Sequence, residues 1–475
     1  MSVTQTDEPV ASTSAQPAGG EERTIAIRLT TKDASYSIPA TKFLVPISWR
    51  RFHLSELINK VLENSSPIPF DFLINSSLLR SSLGAYCAAS GTSEEVTIEI
   101  EYLPSTLPPQ LESTLPSEDW VSDVSVGVRG GILTASYAGT MSLNSNTLPP
   151  PSNLTFIGHD LSVLSCCYVP HPLGTAGKQW VASGGMDRVG RVWEYDQTTL
   201  AAIDAPLPVP TTLYTLILHS APISSVRSRA LPDLPIPTSS PHLLSAGWDG
   251  VIGVWDLTPG VNEGEPEVDG TGERRKKRRK QAPGIVIRKT PVSVLQGHTG
   301  KVSRAIFDRT ESDKAFSSGW DHTVRSWDLS VASESAVKTS DKVLLSLTQM
   351  ASRNLLATGS TDRTVSFWDL REESQNISLV MTGHTGPVSS VASHPTSPLL
   401  LASGSYDSTV RVWDARSPKQ ALFVLPMPKE EGAKGDKVLA VDWDGQRIVA
   451  GGEGAKVACW RVTESQQEAP VAMVE

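Results

Sequence analysis

Cysteine is scarce in this 475-residue chain: four residues, Cys87, Cys166, Cys167 and Cys459, with no CxxC pair and no Cys/His ligand spacing. Neither a disulfide framework nor a zinc site is signalled, and the thiols are expected to be reduced and mostly buried. Long apolar runs are missing as well. None approaches the roughly 20 residues that a membrane-spanning helix needs, and Met1 to Glu22 has neither the basic start nor the apolar core of a secretory leader. The expected compartment is nucleocytoplasmic, with no membrane contact. Positive charge is in deficit: 42 Lys and Arg face 51 Asp and Glu, a net charge of -9. That weighs against a broad nucleic-acid surface, which needs excess positive potential, so any direct RNA contact is expected to be local. Catalytic signatures are absent too: there is no GxxxxGK[ST], no HExxH and no GxSxG. The chain is read as a non-enzyme with no cofactor of its own.

What the chain does have is a unit ending in Trp-Asp, clearest as GHTGPVSSVASHPTSPLLLASGSYDSTVRVWD from Gly383 to Asp414. Related endings fall at Trp193, Trp255, Trp327, Trp368 and Trp460, with a degraded copy at Ser136 to Ser145, which makes seven units. Each unit reads as short strands of alternating polarity separated by a tight turn that carries the Asp. A lone four-stranded sheet of this kind leaves a face unburied, so the units must pack radially as blades around a channel. The chain resembles the WD-repeat family, and the expected fold is mainly β, a seven-bladed propeller. The resemblance implies a buried hydrogen-bonded set in each complete unit: His159, Ser183, Asp187 and Trp193; His219, Ser245, Asp249 and Trp255; His298, Ser317, Asp321 and Trp327; His384, Ser403, Asp407 and Trp413. Buried indole, imidazole and hydroxyl groups need partners, and such a set supplies them. A Ser, a His and an Asp together also suggest an acyl-transfer triad, but fourfold repetition argues against a unique nucleophile.

The pattern lapses in three units. Thr339 and Lys434 stand at the expected His positions of the fifth and seventh, Gly454 replaces the seventh unit's Asp, and Ala138 and Asn144 replace Asp and Trp in the first. Terminal units of repeat arrays are commonly atypical. In the family an outer strand from before the first unit completes the last blade, and the segment around Asp119 to Val126, or one just ahead of it, is the candidate.

Ahead of the repeats, residues 1–22 read as a disordered tail rich in Ser, Thr, Ala, Gly and Pro. Order is expected from Thr24: an alternating strand, a second irregular strand over Tyr36 to Ile47, and a helix with Leu54, Leu57, Ile58, Val61 and Leu62 on one face. Further expected elements are a strand at Phe70 to Ile74, a helical turn through Ser82 to Ala89 and a strand at Val96 to Tyr102. This order matches a small α+β ubiquitin-like grasp. Residues 23–103 are assigned to it, 104–118, with Pro104, Pro108, Pro109 and Pro116, to a linker, 119–465 to the propeller and 466–475 to a tail. A basic run, Arg274-Arg275-Lys276-Lys277-Arg278-Arg279-Lys280, interrupts the repeat spacing within an insertion at about 258–290, expected to be flexible and exposed. Seven consecutive cations in an acidic chain read as a nuclear-import signal, with local phosphate contact as the lesser alternative.

The ubiquitin-like segment with PIPFDFLINSSLLRSSL, then EDWVSDV, seven repeats and the basic insertion resembles the family of WD-repeat subunits of the PeBoW ribosome-assembly complex; Notchless is a close relative that carries an additional repeat. The resemblance implies a nucleolar and nucleoplasmic assembly factor of the large (pre-60S) ribosomal subunit. Its propeller would be held by a Bop-type propeller subunit and, through it, by Pescadillo. Its ubiquitin-like domain would be grasped by the Mg²⁺-dependent adhesion domain of the AAA ATPase midasin, which extracts it from the particle. A partner-held Mg²⁺ with one open position takes a carboxylate, and the resemblance places that ligand on Glu95, with Glu94 as competitor. A rival reading comes from Trp368-Asp369-Leu370-Arg371 and Trp413-Asp414-Ala415-Arg416: such endings resemble substrate receptors of cullin-RING ubiquitin ligases, in which Arg371 and Arg416 would contact the adaptor.

Overall fold

The computed structural model describes residues 23–39, 41–63, 66–91, 96–127, 131–144, 153–171, 177–196, 210–229, 242–266, 286–351, 355–371, 377–429 and 435–462. The chain divides into two compact units, residues 1–105 and 106–475.

The first unit is a five-stranded sheet with one face covered by helix. Strands β1 (Thr24–Thr30), β2 (Lys42–Pro46), β3 (Phe70–Ile74), β4 (Ser77–Leu78) and β5 (Ile98–Pro104) lie in the order β2-β1-β5-β3-β4. The β1/β5 pair is parallel and the other pairs are antiparallel. Alternation in β1 sends Ile25, Ile27 and Leu29 inward, where Leu54 and Ile58 of α1 (Arg51–Leu62) meet them beside Phe70, Phe72, Ile100 and Tyr102. Val61, expected on the apolar face, stays exposed in the last turn of α1. The strand expected over Tyr36 to Ile47 is confined to Lys42–Pro46. The chain before it makes a 3-10 turn at Ala34–Tyr36, held where the Tyr102 hydroxyl donates to Tyr36 O (2.6 Å) and accepts from Ile38 N (3.2 Å). A second helix, α2 (Leu83–Ser90), starts on Ser82, whose hydroxyl accepts from Ala85 N, and stops at Gly91 in the left-handed region (φ 66°).

The second unit is a seven-bladed propeller. The blades' inner strands are Val121–Val126, Val163–Val169, Ile223–Ser228, Val302–Phe307, Leu344–Gln349, Val388–Ser393 and Val438–Trp443. Each packs against the next, and the seventh returns to the first. Every inner strand carries a bulge at its second residue, which bends it toward the axis. In four blades the bulged residue is a serine whose hydroxyl reaches the next inner strand: Ser122 to Val163 O, Ser224 to Val302 O, Ser303 to Leu344 O and Ser389 to Val438 O. At the axis the buried Asp123 accepts from Ser165 Oγ (2.7 Å), Cys166 N (3.0 Å) and Arg227 Nη1 (2.9 Å), tying blade 1 to blades 2 and 3.

Two expectations are corrected. The supposed linker contains a strand, β6 (Gln110–Pro116), which pairs antiparallel with Lys456–Arg461 and forms the outer strand of blade 7. The closing strand is thus the one ahead of Asp119, and Val121–Val126 is the inner strand of blade 1. The insertion in blade 3 is also not loose throughout. Glu263–Pro266 and Ile287–Lys289 pair with each other, and the latter runs parallel to Thr211–Ile217, so the sheet of blade 2 grows to six strands. Lys289 locks this extension: its fully buried ammonium donates to Thr258 O (2.7 Å) and Val261 O (2.6 Å) and lies 4.6 Å from the Tyr214 ring. Burial pulls its pKa down against the pull of Glu263.

Candidate interaction surface of the propeller

The polar sets of blades 2, 3, 4 and 6 meet in one geometry. In blade 6 His384 Nδ1 lies 2.8 Å from Asp407, His384 Nε2 lies 2.7 Å from Ser403 Oγ, and Trp413 Nε1 donates to the same oxygen at 2.7 Å. The corresponding spacings are 2.8, 2.8 and 3.1 Å for His159, Ser183, Asp187 and Trp193. They are 3.1, 2.8 and 2.9 Å for His219, Ser245, Asp249 and Trp255, and 2.8, 2.7 and 2.8 Å for His298, Ser317, Asp321 and Trp327. A neutral imidazole satisfies every atom: Nδ1–H donates to the carboxylate, Nε2 accepts the serine proton, and serine accepts the indole N–H. Burial holds the pKa of His219 and His384 below the ordinary value, overriding their Asp partners. The carboxyl of Asp407, despite burial, is pulled far down by the bonds from His384, Thr409 and Thr385 N. The order Asp, His, Ser is that of an acyl-transfer triad, yet all four serines are fully buried with their oxygens occupied by indole. No substrate carbonyl can reach them, and the sets hold blades together.

The three irregular blades differ as their sequences require. In blade 5 Trp368 Nε1 donates to Thr358 Oγ1 (2.9 Å), while Asp362 is served by Ser360 and Thr364 in place of an imidazole. In blade 1 Asn144 is buried with its side-chain oxygen unpartnered. Lys434 lies outside the described residues.

The Asp of each set also organises a turn, accepting from the backbone N–H two residues on, as at Val189, Val251, Thr323, Thr364 and Thr409. The residue before that Asp, or before Ala138 and Gly454 where the Asp is replaced, stands at one end of the propeller, and its N–H always bonds the carbonyl of the residue preceding the inner strand: Tyr137 to Trp120, Met186 to Ser162, Trp248 to Pro222, Trp320 to Lys301, Thr361 to Val343, Tyr406 to Pro387 and Glu453 to Lys437. These positions are rich in aromatics. Trp120, Trp320 and Tyr406 are exposed at 46%, 48% and 39%. Lys301 lies between two indoles, its ammonium 4.0 Å from the Trp248 ring centre and 4.8 Å from that of Trp320. Lys437 stands over Tyr406 at 5.5 Å and pairs with Glu453 at 2.6 Å. Large exposed aromatics beside cations are the composition of protein-binding hot spots. Sequence reasoning missed this surface. Its signal was a second Trp-Asp pair inside the units, Trp248-Asp249 and Trp320-Asp321, with Tyr406-Asp407 equivalent.

Arg371 and Arg416 each turn back on the Asp of their own Trp-Asp. Arg371 donates to Asp369 from the backbone (2.9 Å) and from Nη2 (2.7 Å), and Arg416 does the same to Asp414 at 2.8 and 2.6 Å. These contacts account for arginine at both positions without a ligase adaptor. Glu94 and Glu95 lie outside the described residues, between Gly91 and the exposed Val96 that leads into β5; Arg274 to Lys280 lie outside them too, between the paired strands of the insertion. Among the described residues no three His, Cys, Asp or Glu side chains come together to hold a metal, and no helix is long and apolar enough to cross a membrane. All four cysteines are buried and none forms a disulfide, and burial pushes the thiols of Cys167 and Cys459 up to about 12 and about 11.

Comparison with known proteins agrees with both units. The NLE (NUC135) domain model matches residues 25–87. The WD domain, G-beta repeat model matches residues 151–194, 210–256, 289–328, 338–369 and 376–414. A protein named "Ribosome biogenesis protein YTM1" from Laccaria bicolor is 34% identical over 471 residues, covering 96% of this chain and all of its own length. Namesakes from Coprinopsis cinerea and Emericella nidulans are 35% and 32% identical, covering 90% and 79% of this chain and 92% and 79% of their own. An NLE domain, a WD-repeat propeller and identity along nearly the whole chain place this protein in the YTM1 family of ribosome biogenesis proteins.

Proposed function

We propose that the chain is a non-catalytic assembly factor of the large ribosomal subunit, acting in pre-rRNA processing and pre-60S maturation within a PeBoW-like complex in the nucleolus and nucleoplasm. The observation that carries this reading is the identity to the YTM1 relative over 96% of the chain, through both the NLE domain and the repeats. The propeller binds a Bop-type subunit, which links it to Pescadillo. We assign that contact to the end bearing Trp120, Trp248, Trp320 and Tyr406, because it combines exposed aromatic area with the cations Lys301 and Lys437. The N-terminal unit is the handle: Glu95, with Glu94 as competitor, completes the coordination of a Mg²⁺ held by the adhesion domain of midasin, and this chain stores no metal itself. Arg274 to Lys280 serve nuclear import.

Two binding measurements on the full chain test the reading. Association with the midasin adhesion domain should require Mg²⁺ and disappear with Glu95→Ala; loss with Glu94→Ala alone moves the ligand by one residue. Association with a Bop-type propeller should weaken at least tenfold with Trp320→Ala and keep its strength with Arg371→Ala. Absence of both associations in the wild-type chain overturns the assignment.

A further inference from the structure

The strand that closes the propeller is also the strand attached to the N-terminal unit. That unit ends at Ser105, and Thr106–Pro109 alone separate it from β6. Pro108 and Pro109 stiffen even this short tether. Load carried along the backbone from the first unit therefore enters the propeller at Gln110.

β6 is poorly equipped to resist such a load. Its side chains are exposed except Leu115, which packs partly against the cluster of Val121, Val449 and Val457. Its other anchorage includes the backbone ladder to Lys456–Arg461, a side-chain hydrogen bond between Ser113 and Cys459, the Arg461–Glu112 ion pair and the bond from Ser117 N to Ala455 O. The register places Gln110 opposite Arg461, at one end of the ladder. A pull on Gln110 against a propeller held elsewhere loads that end first, so the bonds fail one after another instead of sharing the force. Every other blade takes its outer strand from the chain that follows its own third strand, so none of those outer strands lies directly on this tether.

We propose that β6 is a force-sensitive latch: tension on the N-terminal unit strips it from blade 7 and opens the ring's closure before any other propeller strand yields. Through the proposed handle, which this inference takes as its source of load, extraction would be coupled to loosening of the propeller itself.

Single-molecule pulling on the full chain between its two ends tests the latch without any motor, so the result does not depend on midasin binding. The first propeller event should release the chain from Gln110 to about Trp120, a gain of about 3–4 nm. Ser113 stands opposite the native Cys459, so Ser113→Cys provides a staple. Under oxidation the early event should vanish, and reduction should restore it. Leu115→Asp, which does not depend on staple formation, should lower the force of the same event and leave later ones unchanged. An unchanged first event in both variants, or a first event that releases a whole blade or more, overturns the proposal.

Discussion

Ser403 is the point at which the blade-6 network can be weighed. Its fully buried hydroxyl accepts from Trp413 Nε1 at 2.7 Å and faces His384 Nε2 at 2.7 Å. Ser403→Ala removes one oxygen but strands two buried groups, an indole donor and an imidazole acceptor. Each stranded group costs about 1–3 kcal/mol, so the loss should be about 2–4 kcal/mol after relaxation. Blade 5 supplies the internal comparison, because Thr358 serves Trp368 without a histidine (2.9 Å). Thr358→Val keeps the shape, strands the one indole donor and gives up a long bond to Ser366 O (3.4 Å), for about 1–2 kcal/mol. The measurement is urea unfolding of the full chain, followed by far-UV circular dichroism, with equal slopes required before midpoints are compared. Ser403→Ala should be the more destabilising by at least ~1 kcal/mol. Equal losses, or a smaller one for Ser403→Ala, would show that the histidine bond contributes nothing and refute the network argument.

Other outcomes follow from the same geometry. Burial holds the folded-state pKa of His219 and His384 below the unfolded value of about 6.5. The unfolded chain therefore binds their protons first: stability is complete above that pH and declines as pH falls below it. The urea midpoint should drop between pH 7.5 and 5.5, and a flat profile over that range contradicts neutral, buried imidazoles. Arg371→Ala should cost less than about 1 kcal/mol, since its side chain is 69% exposed. Arg416→Ala should cost more, because Asp414 is nearly buried and loses its guanidinium; thermal melting that ranks them the other way counts against the local role. Lys289→Met keeps the stem beside Tyr214 but strands the Thr258 and Val261 carbonyls. It should speed proteolytic cleavage near residues 258–266 without shifting the global melt, and unchanged cleavage would remove the anchor role.

The repeats were legible because their signals are dense. Four copies of His, Ser, Asp and Trp at fixed places define both the strands and the buried bonds, and the distances repeat to within a few tenths of an ångström. β6 was hidden for a physical reason: a strand whose side chains are almost all exposed needs no apolar alternation, and QLESTLP among prolines reads as linker. The strands Glu263–Pro266 and Ile287–Lys289 escaped because they are short and mostly polar, with only Ile287 packed against the apolar cluster of blade 2 and the buried Lys289 as anchor. The aromatic end was obscured by its own repetition, since Trp248-Asp249 and Trp320-Asp321 look like further copies of the strand-ending pair. The metal-ligand assignment to Glu95 rested on the family resemblance, and its loop contributes no geometry.

The blades in which the repeat lapses are tied to their neighbours by bonds between blades. Blade 1 lacks the Asp and Trp of the network, yet its Asp123 is the acceptor that gathers blades 2 and 3, and Arg304 of blade 4 approaches it at 3.6 Å. Blade 7 also lacks the network Asp, and its half-buried Asp442 accepts from Val126 N of blade 1 at 2.8 Å. Blade 5 lacks the histidine. Its Gln349 accepts from Arg309 N and donates to Asp308, both in the chain after blade 4's inner strand, while its Ser346 accepts from Val391 N of blade 6 and from Arg304. Blades with the complete set make the same kind of bond, Ser165 accepting from Val226 N and Ser390 from Val441 N, so the channel side ties complete and incomplete blades alike through buried bonds that count more than those at the surface. Blades 1 and 7 meet at the closure that β6 completes, where a buried apolar cluster of Val121, Val124, Ile132, Ala440, Val449 and Val457 acts together with the axial carboxylates and the one exposed strand. Loss of β6 would remove the outermost of these supports, leaving the buried apolar cluster and the bond from Val126 N to Asp442 across the seam.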